Sequence, residues 1–176
     1  MLRRASALAL AALTLAAVAL AGCTPVPSPT PTPAPSFASD AEAFAAAEAT
    51  YRAYVDALNR VDLADPPTFE DVYSWTTGDA NAEDRRSFSR MHADGLTVRG
   101  DSAVDLFERR PDTPLSASVC LDVSRVELFD SSGASAVDPD RGDVQRMKVS
   151  FEKSDISDTG LRISSITGRS DGTPCE

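Results

Sequence analysis

Histidine and lysine are scarce in this chain, with one histidine (His92) and two lysines (Lys148 and Lys153) among 176 residues. Zinc sites use three or four protein ligands, so a lone histidine argues against one. The chain also has no G-x-S-x-G nucleophile motif and no glycine-rich phosphate loop. We therefore expect no metal site, and we expect His92 to face solvent near the end of a helix.

Positive charge is also in short supply, because 17 Lys and Arg residues stand against 27 Asp and Glu residues. Two of the arginines, Arg3 and Arg4, lie at the start of the chain, and the part after residue 22 carries a net charge of −12. Nucleic acids and anionic lipids both favour basic surfaces. We expect no nucleic-acid partner and no electrostatic docking on a membrane.

The first 22 residues have the layout of a secretory signal peptide. Arg3 and Arg4 are followed by an uncharged stretch, Ala5 to Gly22, which is mostly Ala, Leu and Val. A retained transmembrane helix is the alternative interpretation. The stretch is about 18 residues long, the lower limit for crossing a bilayer, and no basic cluster follows it.

The exit sequence Leu20-Ala21-Gly22-Cys23 resembles the lipobox of bacterial lipoproteins. The resemblance implies that Cys23 receives a diacylglyceryl thioether, that the signal peptide is cut before it, and that acyl chains such as palmitate hold the chain on the extracytoplasmic face of the cell membrane. Two acyl chains are enough for stable attachment. The segment Ala19-Leu20-Ala21 offers a rival cleavage site of the ordinary A-x-A type.

The chain has three cysteines, an odd number for an exported protein. If lipid is attached to Cys23, the other two cysteines, Cys120 and Cys175, remain as a pair. We predict that they form a structural disulfide. A redox pair or a metal-binding pair is the alternative. There is no C-x-x-C motif, and a single histidine is too few for a metal site.

A proline-rich stalk is predicted for residues 23–38. Thr24 to Ser36 has proline at nearly every second position, which excludes helix and sheet and favours polyproline II. At about 3.1 Å per residue the run spans roughly 40 Å. A spacer is the preferred interpretation; a P-x-x-P ligand and O-linked glycosylation are alternatives.

Helices are predicted for the first part of the remaining chain, which we take as a single domain, residues 39–176. Ser39 and Glu42 form a capping box. An apolar stripe with helical spacing then continues to about residue 60; its members are Phe44, Ala47, Tyr51, Tyr54, Val55 and Leu58. A second helix starts at the prolines after Asp65, and a third, predicted to lie on the surface, covers about Ala80 to Ala93.

After Gly95 the apolar residues alternate, which predicts an antiparallel sheet with one buried face. The predicted strands are Thr97–Val98, Ala103–Phe107, Ser116–Leu128, Gln145–Phe151 and Leu161–Ile166. Asp130 to Asp143 is predicted to be a hairpin loop. The sequence from Asp138 within it does not match a calcium-binding loop, so we expect a polar hairpin tip there. Helices followed by an antiparallel sheet predict the α+β class.

The segment Cys120-Leu121-Asp122-Val123-Ser124, followed by the Arg146-x-x-Val149-x-Phe151 strand and Cys175, resembles lipoproteins of high-GC Gram-positive bacteria. Their domain is similar to the nuclear-transport-factor-2-like (cystatin-like) fold. The resemblance implies a curved sheet wrapped round a long helix to form a cone. The strand from Leu161 departs from the pattern because it lacks aromatic residues.

Enzymes with this fold, such as ketosteroid isomerase, place a carboxylate base and tyrosine donors in the cone. The candidate pocket residues here are Tyr54, Tyr73, Trp75 and Asp122. The competing interpretation is an aromatic core with a surface acid, because strand alternation places Asp122 opposite Leu121.

We therefore predict a membrane-anchored, non-enzymatic binding or accessory module of the cell envelope. Its partner is an unknown protein or small ligand, and no cofactor other than the lipid on Cys23 is expected. The alternatives are a small-pocket enzyme of the isomerase or dehydratase type, and an accessory subunit of a transporter or cell-wall enzyme.

Overall fold

A computed structural model describes residues 36–111, 113 and 115–175. The predicted signal peptide, Cys23 and the proline run as far as residue 35 lie outside the described residues. The helices are α1 (Asp40–Leu58), α2 (Phe69–Ser74) and α3 (Gly78–Ala93), with a 3₁₀ turn (Pro66–Thr68) before α2. The strands are β1 (Thr97–Arg99), β2 (Ala103–Arg109), β3 (Ser116–Asp122), β4 (Glu127–Phe129), β5 (Val144–Lys153) and β6 (Leu161–Gly168).

Helix α1 begins at the predicted capping box. The Glu42 amide donates to the Ser39 hydroxyl at 3.1 Å, and the Glu42 carboxylate accepts from the Ala38 amide at 2.6 Å. The first interaction satisfies an amide that the first turn leaves without a partner, and the second ties the residue before the N-cap to the helix. The buried face of the helix contains Ala43, Ala47, Thr50, Tyr51, Tyr54, Val55 and Ala57. Phe44 and Leu58, predicted on the same stripe, are half-buried.

Replacing Ser39 with alanine is expected to lower the free energy of unfolding by about 1 kcal/mol, because the Glu42 amide loses its acceptor. Urea denaturation measures the change. Ser89→Ala is a matched control, since Ser89 is exposed within α3 and alanine favours a helix interior. Equal stability of the two variants would contradict a capping role for Ser39.

The main sheet has four antiparallel strands in the order β2-β3-β5-β6. Register shifts in the β2–β3 and β5–β6 pairs curve it, since a bulge bends the strand that contains it. Val119, Val149 and Ile163 are fully buried in the same core as Tyr51 of α1. The helices thus precede a curved antiparallel sheet that buries one face with them, which confirms the predicted α+β class.

The single strand predicted for Ser116–Leu128 is wrong, because the chain turns in its middle. The Val126 amide donates to the Val123 carbonyl at 3.0 Å and closes a tight turn between β3 and β4. One guanidinium nitrogen of Arg141 donates to the carbonyls of both residues, at 3.0 and 2.9 Å. These partners are distant in sequence, so alternation within the segment does not reveal the break.

Strand β4 instead pairs with β1 in a separate two-stranded sheet. Gly100, which follows β1, makes this arrangement possible. Its φ is +79°, and a Cβ there would lie 1.8 Å from the Arg125 carbonyl oxygen. Only glycine allows the two turns to approach so closely.

Helix α3 is more buried than predicted. Ala80 and Phe88 belong to the core, and the helix begins at Gly78, two residues earlier than expected. Phe88 stacks on Phe69 of α2 with 5.1 Å between ring centroids. The helix therefore covers part of the core and shields it from solvent with its charged outer face.

The outer edge of β6 is only partly covered. The Ile163 amide donates to the Trp75 carbonyl at 2.9 Å, and the Thr77 amide donates to the Ile163 carbonyl at 2.8 Å. This short parallel bridge occupies the start of the edge. Gly78 then begins α3 against Ser164, since a Cβ at Gly78 would lie 3.4 Å from the Ser164 carbonyl oxygen.

Within the described part of the chain, no helix is both long enough and apolar enough to cross a membrane.

Candidate functional site

The four predicted pocket residues do not lie together. Tyr54 is buried on α1 and Tyr73 is buried on α2. Trp75 caps α2, is half-buried and packs against the core. Asp122 lies at the end of β3. Only Tyr54 lines a cleft that contains a buried acid.

The placement of Asp122 in a pocket is corrected by the structure. Its Oδ1 accepts a hydrogen bond from the Ser124 amide at 2.8 Å. Hydrogen bonds from Ser124 lower the pKa of this solvent-exposed carboxyl. Asp122 is therefore an ionised residue of the turn after β3, as the competing interpretation predicts, and does not fit the role of a buried base.

Tyr73 contributes to packing. Its ring contacts Phe69 and Phe88, and the Arg85 guanidinium lies 3.9 Å from the ring centroid. Burial raises its pKa, and the Arg85 charge partly opposes the increase. The Tyr73 carbonyl also accepts a hydrogen bond from Arg162 at 2.9 Å. These contacts join α2, α3 and β6, which positions the helices around the cleft.

The carboxylate that does lie beside Tyr54 belongs to Asp84, on α3. The Tyr54 hydroxyl donates to Asp84 Oδ1 at 3.1 Å. The other oxygen, Oδ2, is shielded from solvent and has no hydrogen-bond partner among the described residues. A buried polar atom without a partner is unusual in folded proteins and often marks a functional site.

Burial raises the pKa of Asp84 from 3.8 to about 6. Hydrogen bonding from the Tyr54 and Thr76 hydroxyls lowers the pKa of Asp84, and the Glu83 charge raises it further. Thr76 makes no regular hydrogen bond to Oδ2. Burial, followed by the charge of Asp84, raises the pKa of Tyr54 well above its ordinary value. Tyr54 therefore remains a neutral donor, and Asp84 changes its charge near pH 6.

Tyr54 and Asp84 line a cleft of about 440 Å³ between α3 and β6. This volume is in the range of small-molecule sites, roughly 300–1,000 Å³. Among the residues that the structure describes, no lysine or arginine lines the cleft, so its lining carries negative charge. The other lining residues are Asp79, Ala80 and Glu83 of α3 and Ser165, Ile166 and Thr167 of β6.

The sequence contains a pattern that indicates a buried position for Asp84, although the spacing of large apolar residues alone does not reveal it. Ala80 and Phe88, both buried, lie four residues before and after it. Positions four apart share a helix face, so Asp84 falls on the inward face of α3. A carboxylate in the middle of a buried helical stripe is the pattern that would have identified this site.

The prediction that His92 faces solvent near a helix end is confirmed. His92 is exposed, and its Nδ1 lies 2.7 Å from the Leu63 carbonyl oxygen. Asp138 Oδ1 accepts from the Asp140 amide, which orders a polar loop. Among the residues that the structure describes, no group of histidine, cysteine, aspartate or glutamate is arranged to hold a metal ion.

Cys120 and Cys175 form the predicted disulfide, with 5.6 Å between their Cα atoms. Cys120 is buried on β3, and Cys175 lies in the segment after β6. One guanidinium nitrogen of Arg169 lies 3.5 and 3.6 Å from the two sulfur atoms and donates to the Thr173 carbonyl at 2.8 Å. The disulfide thus holds the C-terminal segment against the middle of the sheet.

No protein-family model matches the chain, and no curated protein matches it in sequence. Among solved structures, the chain is similar to the VirB8 protein of Agrobacterium tumefaciens, with 12% sequence identity and a TM-score of 0.49. The match covers 80% of this chain and 99% of that chain.

Proposed function

We propose that the chain is an exported lipoprotein, held on the extracytoplasmic face of the cell membrane by a diacylglyceryl group on Cys23. In this proposal the folded region is a non-enzymatic binding module, and the cleft between α3 and β6 is its binding site. The observation that carries the anchor is the cysteine pairing. Cys120 and Cys175 are joined to each other, which leaves Cys23, at the end of the lipobox, as the third cysteine of the chain.

The geometry of the cleft favours binding over catalysis. Tyr54 already donates its hydroxyl hydrogen to Asp84, so that hydrogen is not free to stabilise an oxyanion. Asp84 Oδ2 is shielded from solvent, so it is poorly placed to remove a proton from a substrate. A general base must lie within hydrogen-bond reach of the proton it takes.

Mass analysis of the N-terminal peptide tests the anchor. In a bacterial host with lipoprotein processing, we expect the wild-type chain in the membrane fraction, starting at Cys23 and labelled by an alkyne analogue of palmitate. Cys23→Ala is expected to lose the label completely, because the thioether needs the cysteine sulfur. Ser28→Ala, which keeps all three cysteines, is the matched control and should keep the label.

Two results would contradict the anchor. A wild-type chain that starts at Gly22 without lipid would show cleavage after the Ala19-Leu20-Ala21 segment. A chain that starts at Met1 would show a retained transmembrane segment.

A second candidate is a small-pocket enzyme of the isomerase or dehydratase type, favoured by the raised pKa of Asp84 beside Tyr54. Such an enzyme removes a proton from the carbon next to a carbonyl. Exchange of that proton with deuterated water, followed by NMR over a panel of ketones and enones, distinguishes the two functions. We expect no exchange above background; exchange that disappears in Asp84→Asn would establish the enzyme instead.

A further inference from the structure

We propose that the cleft receives an extended basic peptide segment of a partner protein, which adds to the free edge of β6 as a further strand. This inference rests on the proposed function, because it assumes that the cleft is a binding site. It names the class of partner and the way in which the partner is held.

Among the described residues, part of the outer backbone edge of β6 has no hydrogen-bond partner. Trp75 and Thr77 bond to Ile163 at the start of the edge, and Gly78 covers Ser164. Beyond that point, within the described ranges, the backbone of Ser165–Thr167 is bonded by no segment other than β5. A free strand edge is a template for pairing with another chain.

The free edge of β6 opens into the cleft. Ser165, Ile166 and Thr167 line the cleft, and α3 forms its opposite wall. The segment Trp75–Thr77 already lies along this edge and bonds to it, with a parallel bridge between Thr76 and Ile163. A peptide in the cleft would occupy the continuation of the same edge.

The negative charge of the cleft favours a basic peptide. The α3 wall presents Asp79, Glu83 and Asp84, and no cationic side chain from the described part of the chain lines the cleft. Arg86 pairs with Glu83 from the outer side of α3, which leaves the other two carboxylates to attract a ligand. In a strand every second side chain points to the same side, so alternate lysines or arginines of the peptide would face α3.

Two other occupants fit less well. The proline-rich segment of this chain lacks the amides that strand pairing needs, because proline has no N–H group. A second copy of the chain, with a net charge of −10, would bring like charges together. Charge complementarity therefore points to a basic segment of a different protein.

Binding of a fluorescent peptide of alternating lysine and valine to the purified full chain tests the proposal. Fluorescence anisotropy should show binding that weakens with added salt, and amide NMR signals of Ile166 and Thr167 should shift. Methylating the backbone nitrogens of the peptide that face β6 should weaken binding at least about tenfold, because strand hydrogen bonds are lost. The double variant D79N/D84N should weaken binding about threefold to tenfold.

The matched control is the double variant E152Q/D155N, which removes two exposed acids outside the cleft and should bind as the wild type does. A second control peptide with glutamate in place of lysine should not bind. Equal binding of the methylated and unmethylated peptides would overturn strand addition, while the cleft would remain a binding site for cations. Failure of the lysine peptide to shift Ile166 would overturn the partner class, and the anchor is judged separately by the lipid label.

Discussion

Replacing both Cys120 and Cys175 with alanine is expected to lower the free energy of unfolding by about 4 kcal/mol. The disulfide joins residues 55 positions apart and links a central strand to the end of the described chain. In the chain-entropy treatment, the cross-link restricts the unfolded chain, and a loop of this length is worth roughly that amount. Urea denaturation without reductant measures the change, which corresponds to a fall in Tm on the order of 10 °C.

The wild-type chain treated with dithiothreitol is the internal control, and it should show nearly the same loss. Cys120→Ala alone should match the double variant, because either change breaks the same bond. A double variant that keeps the wild-type urea midpoint would contradict a structural role. In that case the Arg169 contacts with the C-terminal segment would be sufficient to hold it.

Stability is expected to fall as the pH rises from about 4 to 6.5, and Asp84→Asn should remove that part of the fall. The pKa of Asp84 is raised to about 6 in the folded state, against an ordinary value of 3.8. Between these pH values the folded chain keeps a proton that the unfolded chain has lost, so the free energy of unfolding decreases with pH. The stabilisation is complete below about pH 3.8 and is lost as the pH rises through 6.

The expected size of this effect is about 2 kcal/mol. A two-unit shift corresponds to nearly 3 kcal/mol, and solvent at the partly exposed side chain reduces it. The measurement is urea denaturation of the wild type and Asp84→Asn across this pH range, with Asp155→Asn, an exposed acid, as the matched control. Parallel curves for all three proteins would show that Asp84 has an ordinary pKa.

Tyr54→Phe provides an independent check on the same pair. The Tyr54 hydrogen bond lowers the pKa of Asp84, because it stabilises the ionised form. Its removal should move the fall in stability to higher pH. A shift to lower pH would mean that the hydroxyl does not donate to the carboxylate.

Features that depend on neighbouring residues were predicted well from the sequence. The Ser39 cap, the apolar stripe of α1 and the alternation in β5 each need only a few adjacent positions. The disulfide was also predictable, because the lipobox removes Cys23 from a set of three cysteines. The lipid on Cys23 remains a prediction, and it depends on the same short motif.

Features that depend on distant residues were missed or misplaced. The turn between β3 and β4 is held by Arg141, which lies well beyond the segment that alternates. Asp122 was misplaced for a different reason: it fits a pocket acid by residue type, but its carboxylate accepts a hydrogen bond from the amide of Ser124, two residues along the chain. Residue type and alternation do not show which polar groups meet.

The sequence by itself contained the proline run, predicted the export signal and the cysteine pairing, and predicted that helices precede an antiparallel sheet. Only the tertiary structure decided that Asp84 is the acid beside Tyr54 and that no described segment other than β5 bonds to the backbone of Ser165–Thr167. The reason is physical: caps and periodicity act within a few positions of the chain. The pKa of Asp84 and the negative charge of the cleft arise where α1, α3 and β6 pack together.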